Sequence, residues 1–140
     1  MARMNASDLD GAALDWAVAQ SEGLPIRRDP MGFVTGSEAG FWVWGEVGST
    51  VGIKGLIGRE YSPSKNWSQG GEIVERLREQ SRHQFWVESD GPNTHVLSWP
   101  EEHVFYRGYG PTMLIALMRC YVASKLGEVV NVPEALSSPA

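Results

Sequence analysis

At 140 residues, with 42% hydrophobic and 21% charged residues, the chain suits one compact domain (1–140) with a sizeable core, which excludes a disordered protein. A net charge of −5 and the absence of any basic run argue against duplex nucleic acid as a partner. The longest apolar run, Met113 to Met118, is too short to span a bilayer, and one cysteine, Cys120, leaves no internal disulfide.

Met1 to Ala6 lack the apolar stretch of a signal peptide, so a cytoplasmic protein with no membrane partner is expected, frayed at 1–6 and 137–140. Ser7 to Gln20 reads as the first helix, with Ser7, Asp8 or Asp10 to cap it. Leu9, Ala13, Trp16, Ala17 and Gln20 share one side, widened by Leu14 and Val18. Gly23 supplies a left-handed stop, Leu24 can fold back, and Pro25 prevents continuation.

Glycine then recurs at 32, 36, 40, 45, 48, 52, 55 and 58. The apolar runs between them read as strands near 41–47 and 50–57, joined by a turn at Gly48–Ser49. Phe41 and Val43 fall on one face and Trp42 and Trp44 on the other, both tryptophans being assigned to the core. A phosphate-cradling loop fails in detail, because no Gly-Lys-Ser/Thr ends a glycine-rich loop and no Gly-x-Gly-x-x-Gly opens a helix.

Tyr61 to Arg82 reads as a turn that caps and launches the middle helix. Ser62 or Ser64 can accept from its first backbone N–H groups, and Pro63 suits the turn or the first helical position. Trp67, Gly70, Gly71, Val74 and Leu77 fall on one face, with Ile73 beside them. Two adjacent glycines inside a buried stripe each cost about 1 kcal/mol relative to alanine. The expected reason is a packing notch at Gly70 and Gly71, where another backbone crosses.

Phe85 to Val87 and His95 to Trp99 flank a polar turn at Asp90–Asn93, which predicts a hairpin that Pro100 ends. Val104 to Tyr106 reads as a third short strand or an irregular return. Gly108 to Thr112 launches the last helix, with Pro111 at its first position and apolar residues nearly all round from Met113 to Ala123. Gly127 stops it, Val129 to Val132 can add an edge strand, and Pro133 to Leu136 one helical turn. About three helices and mainly antiparallel strands place the chain in the mixed α/β (α+β) class.

Three blocks together resemble the NinX-like family of small tailed-phage and prophage proteins. They are Leu9 to Ala19, Tyr61-Ser62-Pro63-Ser64-x-Asn66-Trp67-x-Gln69-Gly70-Gly71-x-Ile73-x-Glu75, and Gly110 to Gly127 continued by Val130 and Val132-Pro133. The chain is also distantly similar to a phage α-β-α sandwich domain. The resemblance implies a layered sandwich fold and a phage or prophage origin; it carries over no catalytic residue.

Cys120 lies in the most apolar helix, where a thiolate is disfavoured. His83, His95 and His103 with Asp90, Glu101 or Glu102 lack the compact spacing of a metal motif, so neither metal nor cofactor is expected. Arg119, in a helix with little polar surface, needs a partner, and Asp15 or Glu75 is the expected carboxylate. The candidate ligand-binding residues are the two helix starts with that arginine: Ser62, Ser64, Asn66, Trp67 and Gln69 at one, Thr112 at the other, and Arg119. The leading expectation is a non-enzymatic interaction module, homo-oligomeric, acting on a host or phage protein. A small-ligand or nucleotide-related enzyme using those helix ends is the alternative, and a single-strand nucleic-acid binder using exposed tryptophans the second.

Overall fold

The computed structural model describes residues 1–28, 41–44, 53–81, 86–89, 95–101 and 104–137. It is a mixed α/β fold. Strands β1 (Ala2–Asn5), β2 (Ile26–Arg28), β3 (Phe41–Trp44), β4 (Ile53–Leu56), β5 (Trp86–Ser89), β6 (His95–Glu101), β7 (Val104–Gly110) and β8 (Val129–Val132) accompany four α-helices. The helices are α1 (Gly11–Ser21), α2 (Trp67–Ser81), α3 (Met113–Leu126) and α4 (Glu134–Ser137). Among the described residues these strands pair antiparallel, in the orders β1-β8, β2-β3-β4 and β5-β6-β7. Residues 2–5, expected to fray, are paired as β1 with β8 from Ala2↔Val132 to Asn5↔Val129. The expected turns at Gly48–Ser49 and Asp90–Asn93, and residues 138–140, lie outside the described residues.

The first helix starts later than its polar residues suggest. Ala6–Asp8 form a 3-10 turn, and Gly11, at φ +52°, redirects the chain into α1. The side chain of Asp10 makes no cap hydrogen bond. The stop is as expected. Gly23 (φ +71°) donates its N–H to Gln20 O (3.1 Å) and Leu24 to Ala19 O (3.0 Å). Both orphan carbonyls are thereby satisfied before Pro25.

Strand β2 was not foreseen; Ile26↔Val43 and Arg28↔Phe41 pair it to β3. Val43 is fully buried, but Trp42 and Trp44 are half-buried rather than core. Arg27 and Arg28 stack over Trp44 and Phe41, at 5.4 and 5.8 Å from the ring centroids. Pro100 does not end β6, which runs to Glu101 with Pro100 opposite Phe105. The return strand β7 is seven residues long and absorbs Gly108 to Gly110. Pro111 therefore precedes the helix instead of opening it, and Thr112 is the N-cap, its Oγ1 accepting from Ile115 N–H at 3.2 Å.

Helix α3 is the central element. Leu114 to Met118 and Cys120 to Val122 are all buried, in a core shared with Leu9, Leu14, Val18, Ile73, Val130 and Val132. One face lies directly on β7: a Cβ on Gly108 would stand 2.0 Å from Ala116 O. Only glycine lets helix backbone approach strand backbone so closely.

Candidate functional site

The turn before α2 forms a closed junction with α1 and α3. Asn66 is its cap, not Ser62 or Ser64: Asn66 Oδ1 accepts from Ser68 N–H at 2.8 Å. Gln69 reaches back across the turn. Its Oε1 accepts from Ser62 N–H (2.7 Å) and its Nε2 donates to Glu60 O (2.6 Å). The Ser62 hydroxyl donates to Arg59 O at 3.2 Å. Ser64 N–H donates to Asp15 Oδ1 of α1 at 2.9 Å, joining segments 49 residues apart.

The notch expected in α2 is present at one glycine only. A Cβ on Gly70 would lie 2.3 Å from Pro63 O and 2.7 Å from Leu114 Cδ1. What crosses is the turn itself and a side chain of α3, not a strand. Gly71 is looser, 3.6 Å from Trp67 Cε3. The buried stripe correspondingly shifts to Gly70 and Ile73, and Trp67 is 55% exposed.

Asp15 is 1% exposed, and its Oδ2, like Ser64 Oγ, has no hydrogen-bond partner among the described residues. Burial raises the Asp15 pKa from 3.8 to about 6, against the lowering pull of the Ser64 N–H, the nearby Ser64 hydroxyl and Lys65. A raised carboxyl pKa binds its proton more tightly in the folded chain. Its stabilising contribution is full below about pH 3.8 and is lost as pH rises through about 6, a swing of up to ~3 kcal/mol. Asp15→Asn keeps an acceptor for Ser64 N–H and removes the charge. It is expected to stabilise the protein by ~1–3 kcal/mol at pH 8, with the gain gone at pH 4. Denaturant melts at both pH values check this; a gain independent of pH refutes it.

Beside this junction lies a second polar seam. Glu22, at the end of α1, pairs with Arg76 of α2 and accepts from the Tyr121 hydroxyl of α3. Burial first, and Glu22 second, push the Tyr121 phenol well above its ordinary value.

Arg119 contradicts its expected pairing. Neither Asp15 nor Glu75 reaches it; Glu75 pairs with Arg78. Its Nε donates to Leu9 O and its Nη1 to Tyr109 O, both at 2.7 Å. Two backbone carbonyls, one before α1 and one on β7, take the place of the carboxylate. Burial pulls the guanidinium below its usual pKa, opposed at longer range by Asp10 and Asp8.

The seven candidate ligand residues are thus divided. Ser62, Ser64, Asn66, Trp67 and Gln69 sit at the junction, and Thr112 is close to it through Leu114. Arg119 lies about 10 Å along α3 from Thr112 at 1.5 Å per residue, and lines a cleft of about 470 Å³ that none of the others reaches. That cleft runs between Asn5–Ser7, β7 and Glu128, with Arg119 and Ala123 on its α3 side. A wider cleft of about 670 Å³ lies against Trp16, Ile26 and Phe41. The cleft residues Ser7, Tyr106, Arg107 and Tyr109 were not singled out in the sequence, since no motif joins them.

Cys120 is buried, its Sγ–H donating to Tyr106 O at 3.2 Å. Among the described residues no three potential metal ligands are gathered; His83, Asp90, Glu102 and His103 lie outside them. No helix among the described residues is long and apolar enough to cross a membrane.

The fold and its sites define a small mixed α/β protein, with a closed polar junction at its helix ends and an open polar cleft beside α3. The family described as Bacteriophage P22, NinX matches residues 5–125, and the chain belongs to it. No curated protein matches the chain. The blocks that carry the resemblance meet at the junction: Asp15 from the first, Ser64 and Gly70 from the second, Leu114 from the third.

Proposed function

We propose that the protein is a non-enzymatic accessory module of a phage or prophage, working in the host cytoplasm as a homo-oligomer that engages a host or phage protein. The carrying observation is how the polar helix-end groups are used. Asp15, Ser62, Asn66, Gln69, Thr112 and Arg119 each bond to backbone of this same chain. Groups committed to holding a turn or a cap are poorly placed to move protons or attack a substrate. The enzymatic alternative needs Ser62, Ser64, Asn66 and Thr112 together with Arg119, and the distance along α3 separates them.

Trp67 supports the interaction reading. It is 55% exposed one turn from the Gly70 crossing, and Met113, 38% exposed, adjoins Leu114 on the other side of that crossing. Exposed tryptophan with methionine is typical of interface centres. Light scattering on the eluting full chain is expected to give a multiple of the 15.4 kDa chain mass. Trp67→Glu is expected to shift it to a single chain with the fold intact by circular dichroism. A clean monomer at high concentration overturns the oligomer.

A further inference from the structure

The two tryptophans of β3 lie on the face of their strand that turns away from the core. Ile26, Phe41 and Val43 share one face of β2-β3 and join the buried cluster that includes α3. Trp42 and Trp44 alternate onto the other face, stand outside that cluster and are half-buried. Arg27 is opposite Trp42 in the register and carries its guanidinium over the Trp44 ring, 5.4 Å from the centroid. Trp44 Nε1 is out of solvent, so one edge of that ring is held in the fold. From β4, the buried Leu56 is opposite Trp42. Lys54, two residues away from Leu56, alternates onto the same face and is exposed.

Charge singles this face out. The protein carries a net charge of −5. The described residues of β2, β3 and β4 nevertheless hold three cations, Arg27, Arg28 and Lys54, and no carboxylate. Arg27 and Lys54 are exposed and have no ion pair among the described residues. Glu60 does reach β4, where its Oε2 accepts from Leu56 N–H at 3.0 Å and serves the strand backbone.

We infer that this face binds single-stranded nucleic acid. A base stacks on Trp42, Arg27 takes the neighbouring phosphate and Lys54 the next. Every base has a π-face, so a tryptophan platform takes any unpaired base, while a duplex hides its bases from such stacking. A guanidinium fork matches two phosphate oxygens. Arg27, already resting on Trp44, loses less freedom on binding than an arginine free in solvent. Neighbouring strands lie about 4.8 Å apart, so β2 and β4 set one cation on either side of the stacked base. The protein's overall negative charge opposes a polyanion, and micromolar binding at low salt is the expected range.

This surface is additional to the protein contact proposed at Trp67 and uses none of its residues, so the two readings fail separately. The test is fluorescence anisotropy of the full chain with labelled oligo(dT) of about 12 nucleotides, with a duplex of the same length and polyglutamate as separate arms. Oligo(dT) is expected to bind at least tenfold more tightly than either and to quench tryptophan emission. Its log K is expected to fall against log salt with a slope of about −1.4, two phosphates at about 0.7 each. Arg27→Met is expected to weaken binding about tenfold or more and to halve that slope. Trp42→Leu is expected to weaken binding about tenfold with the slope unchanged, the mark of lost stacking rather than lost charge. Should Trp42→Leu fail to fold by circular dichroism, Arg27→Met and the quenching decide. A Trp67→Glu chain is expected to bind as the parent does, and loss of binding there overturns the placement on β3. No binding at low salt, or equal binding of the duplex, overturns the inference and leaves the interaction module standing. Tighter binding of polyglutamate overturns it too and assigns the face to an acidic protein partner.

Discussion

Gly70→Leu is expected to destabilise the protein by at least about 3 kcal/mol, while Gly71→Ala is neutral or stabilises by up to about 1 kcal/mol. The two positions are neighbours in one helix, so helix propensity favours both substitutions alike. Space separates them. At Gly70 the first added carbon would stand 2.3 Å from Pro63 O and 2.7 Å from Leu114 Cδ1. Leu114 can shift, but the Pro63 carbonyl belongs to a turn tied down by Ser62–Gln69 and Ser64–Asp15. Relief therefore requires opening that turn. At Gly71 the same carbon meets only Trp67 Cε3 at 3.6 Å, an ordinary contact. Urea denaturation of the two variants decides the matter; equal effects would mean that the crossing is not as described.

Gly108→Ala is the second large effect, about 3 kcal/mol or more of destabilisation. Three atoms of α3 face the added methyl: Ala116 O at 2.0 Å, Cys120 Cβ at 2.9 Å and Cys120 N at 2.9 Å. Two are helix backbone, and no side-chain rotation moves them. Strand β7 must then lift from α3, and with it the Cys120 Sγ–H bond to Tyr106 O and the Arg119 bond to Tyr109 O. A Tm fall of only one or two degrees would show that β7 and α3 separate easily.

The helices were readable because their signals are local. The Gly23 stop and the unbroken apolar run of α3 each need only a few neighbouring residues. The sheets were harder. Strand β2 carries Ile26-Arg27-Arg28, too short and too charged to show an alternation, and its membership depends on β3 lying beside it. Pro100 looked like a terminator because a proline cannot donate, yet it sits in β6 opposite Phe105. At the candidate site the polar turn was visible but its partners were not. Asp15 and Ser64 are 49 residues apart, and nothing local marks a buried carboxylate bound to a backbone N–H. Arg119 was visible as an anomaly in an apolar helix, but two main-chain carbonyls carry no signature in side-chain identities. The cleft residues are the extreme case, gathered only by tertiary packing.

Strand β1 is made well before the strand it pairs with, β8. Its hydrogen-bonding neighbour, Val129–Val132, emerges from the ribosome only after residues 6–128 have done so. Until then the early segment has no ladder to join, while α1 and α2 can already form. Closing so long a loop makes this small sheet a late event in nascent-chain folding. A translation arrest before residue 129 would leave Ala2–Asn5 as an open edge, ready to pair with another polypeptide.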